Sequence, residues 1–185
     1  KQQDIAIRAF SIVVEQVKEA RMLILGEGPR KRYLESLIRK MRLQDKVCLL
    51  GFQKDVTYFL EHSRVFLMTS KTEGFPNGMI EAMAAGLPVV SIASSGAPQE
   101  ILGCMKQAED RAIMARYGIV TPFLLGCDST DIREKERILG NAMIKMLEDD
   151  SLCQHYAEMS NKRVRHYAYE KIMRKWDNLI GGIQR

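Results

Sequence analysis

The 185-residue sequence has no apolar run near the roughly 20 residues that a membrane-spanning helix requires, and its front carries no signal-peptide pattern. The cytoplasm is therefore the expected compartment. Its four cysteines, Cys48, Cys104, Cys127 and Cys153, form no CxxC pair, and Cys48 and Cys153 sit among apolar neighbours. That pattern favours buried thiols in a reducing compartment over disulfides or zinc. His62, His155 and His166 have no carboxylate or cysteine companions at ligand spacing, so they read as structural or exposed. No internal repeat, low-complexity tract, zinc-finger, recognition-helix or RNP-like signature is present, which argues against nucleic acid as a partner.

What remains is the composition of an ordinary globular protein, 46% hydrophobic and 28% charged, at a length that suits one compact domain with a sizeable core. The net charge is a modest +5, with its surplus near the end in Lys162, Arg163, Arg165, Lys171, Arg174 and Lys175. A solvated helix face accounts for it. The sharper alternative is attraction to anionic lipid headgroups, as a peripheral association at the cytoplasmic membrane face.

Apolar residues then set the elements. Ile5, Ala9, Ile12, Val13 and Val17 recur at helical spacing over residues 4–17, and RMLILGEGP reads as a strand running into a tight glycine loop. Leu34, Leu37, Ile38 and Met41 mark one face of a second helix. VCLLGF and RVFLMTS read as strands, with a short helix capped by Asp55 between them. This alternation predicts an α/β fold, a Rossmann-like doubly wound parallel sheet. Residues 94–117 loosen the pattern and read as a loop with an insertion, after which GIVTPF supplies a last short strand. Beyond Asp128 the chain turns helical. Ile138, Ala142, Met143 and Met146 form one apolar stripe, Tyr169, Ile172, Trp176 and Leu179 another, and Gly181 and Gly182 close the last helix. A doubly wound sheet usually opens on a strand, whereas this chain opens on a helix. The chain is accordingly expected to begin partway through a larger protein.

The most informative segment is EGFPNGMIEAMAAGLPVV, residues 73–90. It sets Glu73 in a loop, then Gly74, Phe75, Pro76, Asn77 and Gly78, then a short helix carrying Glu81 that stops at Gly86 and Pro88. Pro76 suits the entry turn, Asn77 can cap through its side chain, and Gly86 suits a left-handed residue just past the end. Met79 with Met83 gives the buried stripe, and PVVSI reads as a central strand. The free N–H groups of such a helix and its positive dipole end favour a phosphate or another oxygen-rich ligand at the edge of a parallel sheet.

On these residues the chain resembles the C-terminal, donor-binding half of the retaining glycosyltransferases of family 4. Their signature is a Glu, seven intervening residues and a second Glu, continuing here as EAMAAGLPVV. KQQDIAIRAF, LILGEGP, GFQKDV, SSGAPQEI and YGIV match in family order. The resemblance implies one half of a GT-B two-domain enzyme. Residues 1–185 would be its C-terminal nucleotide-sugar-binding domain with C-terminal helices, and the first strand and the N-terminal acceptor domain would lie outside the chain. It implies a hexosyltransferase that takes a nucleoside-diphosphate sugar as substrate, with neither cofactor nor metal ion. Glu73 would be the catalytic residue, a carboxylate that holds hydroxyls of the transferred sugar and positions it. Backbone amides of Gly74 and Phe75 would grip that sugar, those of Asn77 and Gly78 would meet the diphosphate, and Glu81 would accept hydrogen bonds from the ribose. Lys1 would neutralise the diphosphate, and the backbone around Phe52 would contact the base. Pro76 stands where many members have Gly, which removes one amide contact to the sugar. Two alternatives stay open: a nucleotide-sugar epimerase or noncatalytic nucleotide-sugar-binding domain of the same fold, and an interaction domain working through the basic C-terminal helices.

Overall fold

The computed structural model describes residues 1–123 and 129–183. Helix α1 (Gln3–Gln16) leads into strand β1 (Met22–Leu25), α2 (Lys31–Lys40), β2 (Val47–Gly51), α3 (Val56–Glu61), β3 (Phe66–Met68), β4 (Thr72–Glu73), α4 (Asn77–Ala84) and β5 (Val89–Ile92). There follow β6 (Ser95–Gly96), α5 (Ala97–Ile101), β7 (Ile113–Ala115), β8 (Gly118–Thr121), α6 (Ser129–Glu148), α7 (Asp150–Val164), a single 3-10 turn (Arg165–Tyr167) and α8 (Tyr169–Ile183).

The parallel expectation holds for four ladders: β1 with β2, β3 with β5, β5 with β8, and β4 with β6. The larger sheet runs β3-β5-β8-β7, and its last strand is antiparallel to β8. The sequence reading missed that strand and α5, because Ile113–Ala115 is too short to declare a period. Strand β5 is wholly buried and divides the core by alternation. Val90 and Ile92 pack with α1, α2 and α6, while Val89 packs with Met79 and Met83 of α4 and Ile101 of α5. Helices therefore cover both faces, as in a doubly wound fold.

Three expectations are corrected. Cys48 is exposed on β2, where the next residue after buried Val47 points away from the core; Cys104 is buried, and Cys127 lies outside the described residues. Helix α8 runs on through Gly181 and Gly182 to Ile183. Its apolar stripe is not covered by the described residues, with Tyr169 73%, Trp176 54% and Leu179 56% exposed. Among the described residues no helix is long and apolar enough to cross a membrane.

Candidate functional site

The site is built at the carboxyl ends of β3, β4 and β5. Thr72 pairs with Ser95 and Glu73 with Gly96, so the glutamate backbone is pinned from one side by β6. Gly96 has φ +100°, and a Cβ there would lie 2.0 Å from the Glu73 carbonyl oxygen. Any other residue would force the two strands apart. On the opposite flank the Gln2 N–H donates to the Thr69 carbonyl at 3.0 Å, and the Thr69 hydroxyl donates to the Gln2 carbonyl at 3.0 Å. These two bonds hold the start of α1 beside the end of β3. Lys1 Nζ then donates to Glu73 Oε1 at 2.5 Å, an ion pair across 72 positions of sequence.

Glu73 is only 18% exposed at its side chain, while Lys1 keeps 59%. Burial resists ionisation of the glutamate, but the hydrogen bond and charge of Lys1 outweigh it and hold the carboxyl below its usual range. The neighbouring Ser70 hydroxyl lowers it further. Glu73 is therefore a fixed carboxylate at neutral pH. Such a group accepts hydrogen bonds from hydroxyls and donates none.

Helix α4 starts one residue earlier than its cap expectation. Pro76 is the N-cap residue, and its carbonyl accepts from the N–H groups of Met79 at 2.9 Å and Ile80 at 3.2 Å. Asn77 is already helical, makes no side-chain cap, and gives its N–H to the Phe75 carbonyl at 3.0 Å. The Gly78 N–H has no acceptor among the described residues and remains exposed. The helix ends as read: Gly86 has φ +79°, with the Leu87 N–H on the Ala82 carbonyl at 2.9 Å and the Gly86 N–H on the Met83 carbonyl at 3.1 Å. This is a Schellman closure. Met79, Ala82 and Met83 are fully buried, which aims the helix start at the sheet edge.

Glu81 lies one turn beyond Gly78, exposed, and lines a shallow groove of about 280 Å³ with Val56, Thr57, Leu60 and Glu61 of α3. Phe52 is 74% exposed just after Gly51, whose carbonyl accepts from the Gly26 N–H at 2.7 Å and so ties together the ends of β1 and β2. The structure thus brings Lys1 and Glu73 into contact and sets Gly74, Phe75, Asn77 and Gly78 on the same loop and helix start. Glu81 and Phe52 make no hydrogen bond or ion pair to that group among the described residues. A larger cavity, about 450 Å³ and lined by Arg64, Leu87, Pro88 and Cys153, opens at the amino ends of β3 and β5 and adjoins the Glu81 groove through Leu60, Glu61 and Ala85. Sequence reasoning passed over Gly96 and Ser70. Neither residue carries a local signal, since each matters through a segment distant in the chain.

This arrangement offers one carboxylate for hydroxyls, one lysine and one free helix N–H for an anion, and a second carboxylate on the adjacent groove. Residues 1–108 match the family model of the glycosyl transferases group 1. The chain belongs to this family. A glycosyltransferase of Methanocaldococcus jannaschii is 39% identical to it over 185 aligned residues, 95% of this chain and 45% of the relative. TarM of S. aureus superposes with a TM-score of 0.72 at 26% identity, over 97% of this chain and 32% of the larger one. HepE of Anabaena gives a TM-score of 0.74 at 20% identity, over 98% and 45%, and shows the fold alone. The group 1 glycosyltransferase domain described here thus has the GT-B α/β fold, and it spans less than half the length of these relatives.

Proposed function

We propose that this glycosyltransferase domain is the donor-binding half of a family 4 retaining enzyme, which moves a hexose from a nucleoside-diphosphate sugar to an acceptor held by a domain outside this chain. The observation that carries the proposal is the contact of Lys1 with Glu73 at 2.5 Å, beside the unpaired Gly78 N–H. Cation and amide suit a diphosphate, and the partly buried carboxylate suits sugar hydroxyls. Glu73 positions the sugar with help from the Gly74 and Phe75 amides. Lys1, Gly78 and the positive end of α4 take up the charge that develops on the leaving group. In the structure the Asn77 N–H is engaged by Phe75, so Gly78 is the leading amide for the diphosphate.

In the transfer the acceptor oxygen bonds to the anomeric carbon on the face that the diphosphate leaves. The bond from that carbon to the phosphate oxygen breaks, and the departing oxygen takes the acceptor proton. Stabilising that oxygen is where preorganised Lys1 and Gly78 act. The chemistry as proposed needs no metal ion, so a chelator is expected to leave the rate unchanged. UDP is the first nucleotide to try, because TarM and HepE were crystallised with it.

Glu81, on the groove beside α3, takes the ribose, and Phe52 lies by the base. Hydrogen bonds from the ribose to a carboxylate are worth roughly 1.5–3 kcal/mol each. Glu81→Ala in the full-length protein should therefore raise the donor dissociation constant by about tenfold or more, with little change in kcat at saturation. Calorimetry decides it: unchanged affinity would sink the ribose role.

A further inference from the structure

Residues 74–76, which join β4 to α4, carry little structure of their own. Gly74 has open space around the position a Cβ would take. The one aromatic ring of the segment, Phe75, is 49% exposed and meets the Tyr167 ring edge-on, with centroids 5.6 Å apart and an interplanar angle of 66°. Tyr167 closes the 3-10 turn between α7 and α8, and the Arg163 guanidinium lies over its ring at 5.1 Å. The same guanidinium donates from Nε to the Ile101 carbonyl at 2.8 Å and from Nη2 to the Glu100 carbonyl at 2.9 Å, closing the carboxyl end of α5. It also lies over Tyr117 at 5.0 Å. Helix α5 begins immediately after Gly96, the residue packed against Glu73. One arginine therefore touches both neighbours of the loop: α5, which continues from the β6 partner of Glu73, and Tyr167, which holds Phe75.

We infer that Arg163 and Tyr167 are positioning residues that brace the loop of Glu73 and Phe75 and so preorganise it for the donor; the inference rests on the donor-site reading above. A planar guanidinium can donate two directed hydrogen bonds while offering its face to aromatic rings, which a lysine cannot do. Without the brace the loop would have to be ordered at each binding event, and that cost appears as lost affinity. The effect should match an edge-on aromatic pair, a two- to tenfold change, about the range such pairs give.

The test uses the full-length protein and calorimetry with UDP, GDP and ADP, taking the tightest binder as probe. Tyr167→Leu and Phe75→Leu should each raise its dissociation constant about two- to tenfold, and the double variant should be no weaker than the weaker single. Tyr167→Phe, which keeps the ring, should bind as wild type does. Arg163→Lys should weaken binding as Tyr167→Leu does. A Tyr167→Leu protein that melts earlier but binds the probe normally overturns the inference, as does simple additivity of the two leucine variants. Should Tyr167→Leu fail to fold, Phe75→Leu reads the same contact from its exposed side, and unaltered binding there overturns it equally. If Glu81→Ala weakens binding and the brace variants do not, only the brace falls. If none of the diphosphates binds, the donor reading falls and takes the brace with it.

Discussion

A methyl group at position 96 has nowhere to go. Its carbon would sit 2.0 Å from the Glu73 carbonyl oxygen, and the backbone there, φ +100° and ψ −154°, is a conformation that only glycine adopts without strain. Gly96→Ala should therefore lose about 1–3 kcal/mol of stability in urea unfolding and should weaken donor binding by displacing Glu73. Unaltered donor affinity would show that the glutamate is not located by this strand pair. Glu73 itself should announce its partner through pH. Its folded pKa lies below the ordinary value of 4.5, so the unfolded chain binds the proton more readily. The stability that ionised Glu73 contributes is full above the unfolded pKa and fades as pH falls through the folded one. Chemical unfolding of wild type and Glu73→Gln should thus differ by a constant amount between about pH 6 and 8, and the difference should shrink below about pH 4. A gap that widens on acidification would contradict the lysine pairing. Lys1 and Glu73 were both legible in the sequence, because a family pattern fixes them in order. Gly96 was not, since SSGAP reads as a turn and its real constraint comes from another strand.

At the scale of elements, the helices separate real caps from apparent ones. Asp55 accepts from the Tyr58 N–H at 3.1 Å and Asp149 from the Leu152 N–H at 2.9 Å, whereas Asn77 at the start of α4 caps nothing. Asp55→Ala and Asp149→Ala should each cost about 1 kcal/mol, and Asn77→Ala less than about 0.5 kcal/mol, measured by thermal unfolding. A large loss at Asn77 would mean that its side chain closes the helix after all. Composition alone favours Asn as a cap. Pro76 overrides that preference here, because its carbonyl already takes both the Met79 and Ile80 N–H groups and so sets the helix start one residue earlier. The same contrast runs through the sheet. The mostly apolar run PVVSI declared β5 as central, and it is flanked by β3 and β8. The three-residue β7 offered no period to read, and only its pairing with β8 defines it.

Periodicity marks an apolar stripe on α8 without saying what covers it, and among the described residues nothing does: Trp176 and Leu179 stay more than half exposed. The site is similarly open, with Lys1 59% exposed at its side chain and Phe52 at 74%. All the groups proposed to hold the donor belong to this one domain, yet among the described residues no wall stands over them to exclude water. Holding a donor needs only hydrogen-bond partners in place, whereas transfer needs an acceptor aligned with the anomeric carbon and water kept away from it. The two tasks should therefore separate experimentally. The isolated 185-residue chain should bind a nucleoside diphosphate, UDP being the first to test, with Glu81→Ala reducing that binding. It should transfer no sugar, while the full-length protein does. Calorimetry on the chain and a product assay on both proteins make the comparison. Transfer by the chain at the full-length rate would show that the acceptor site lies within these residues. A chain that binds no diphosphate, beside a full-length protein that does, would show instead that the donor site is completed by residues beyond the chain.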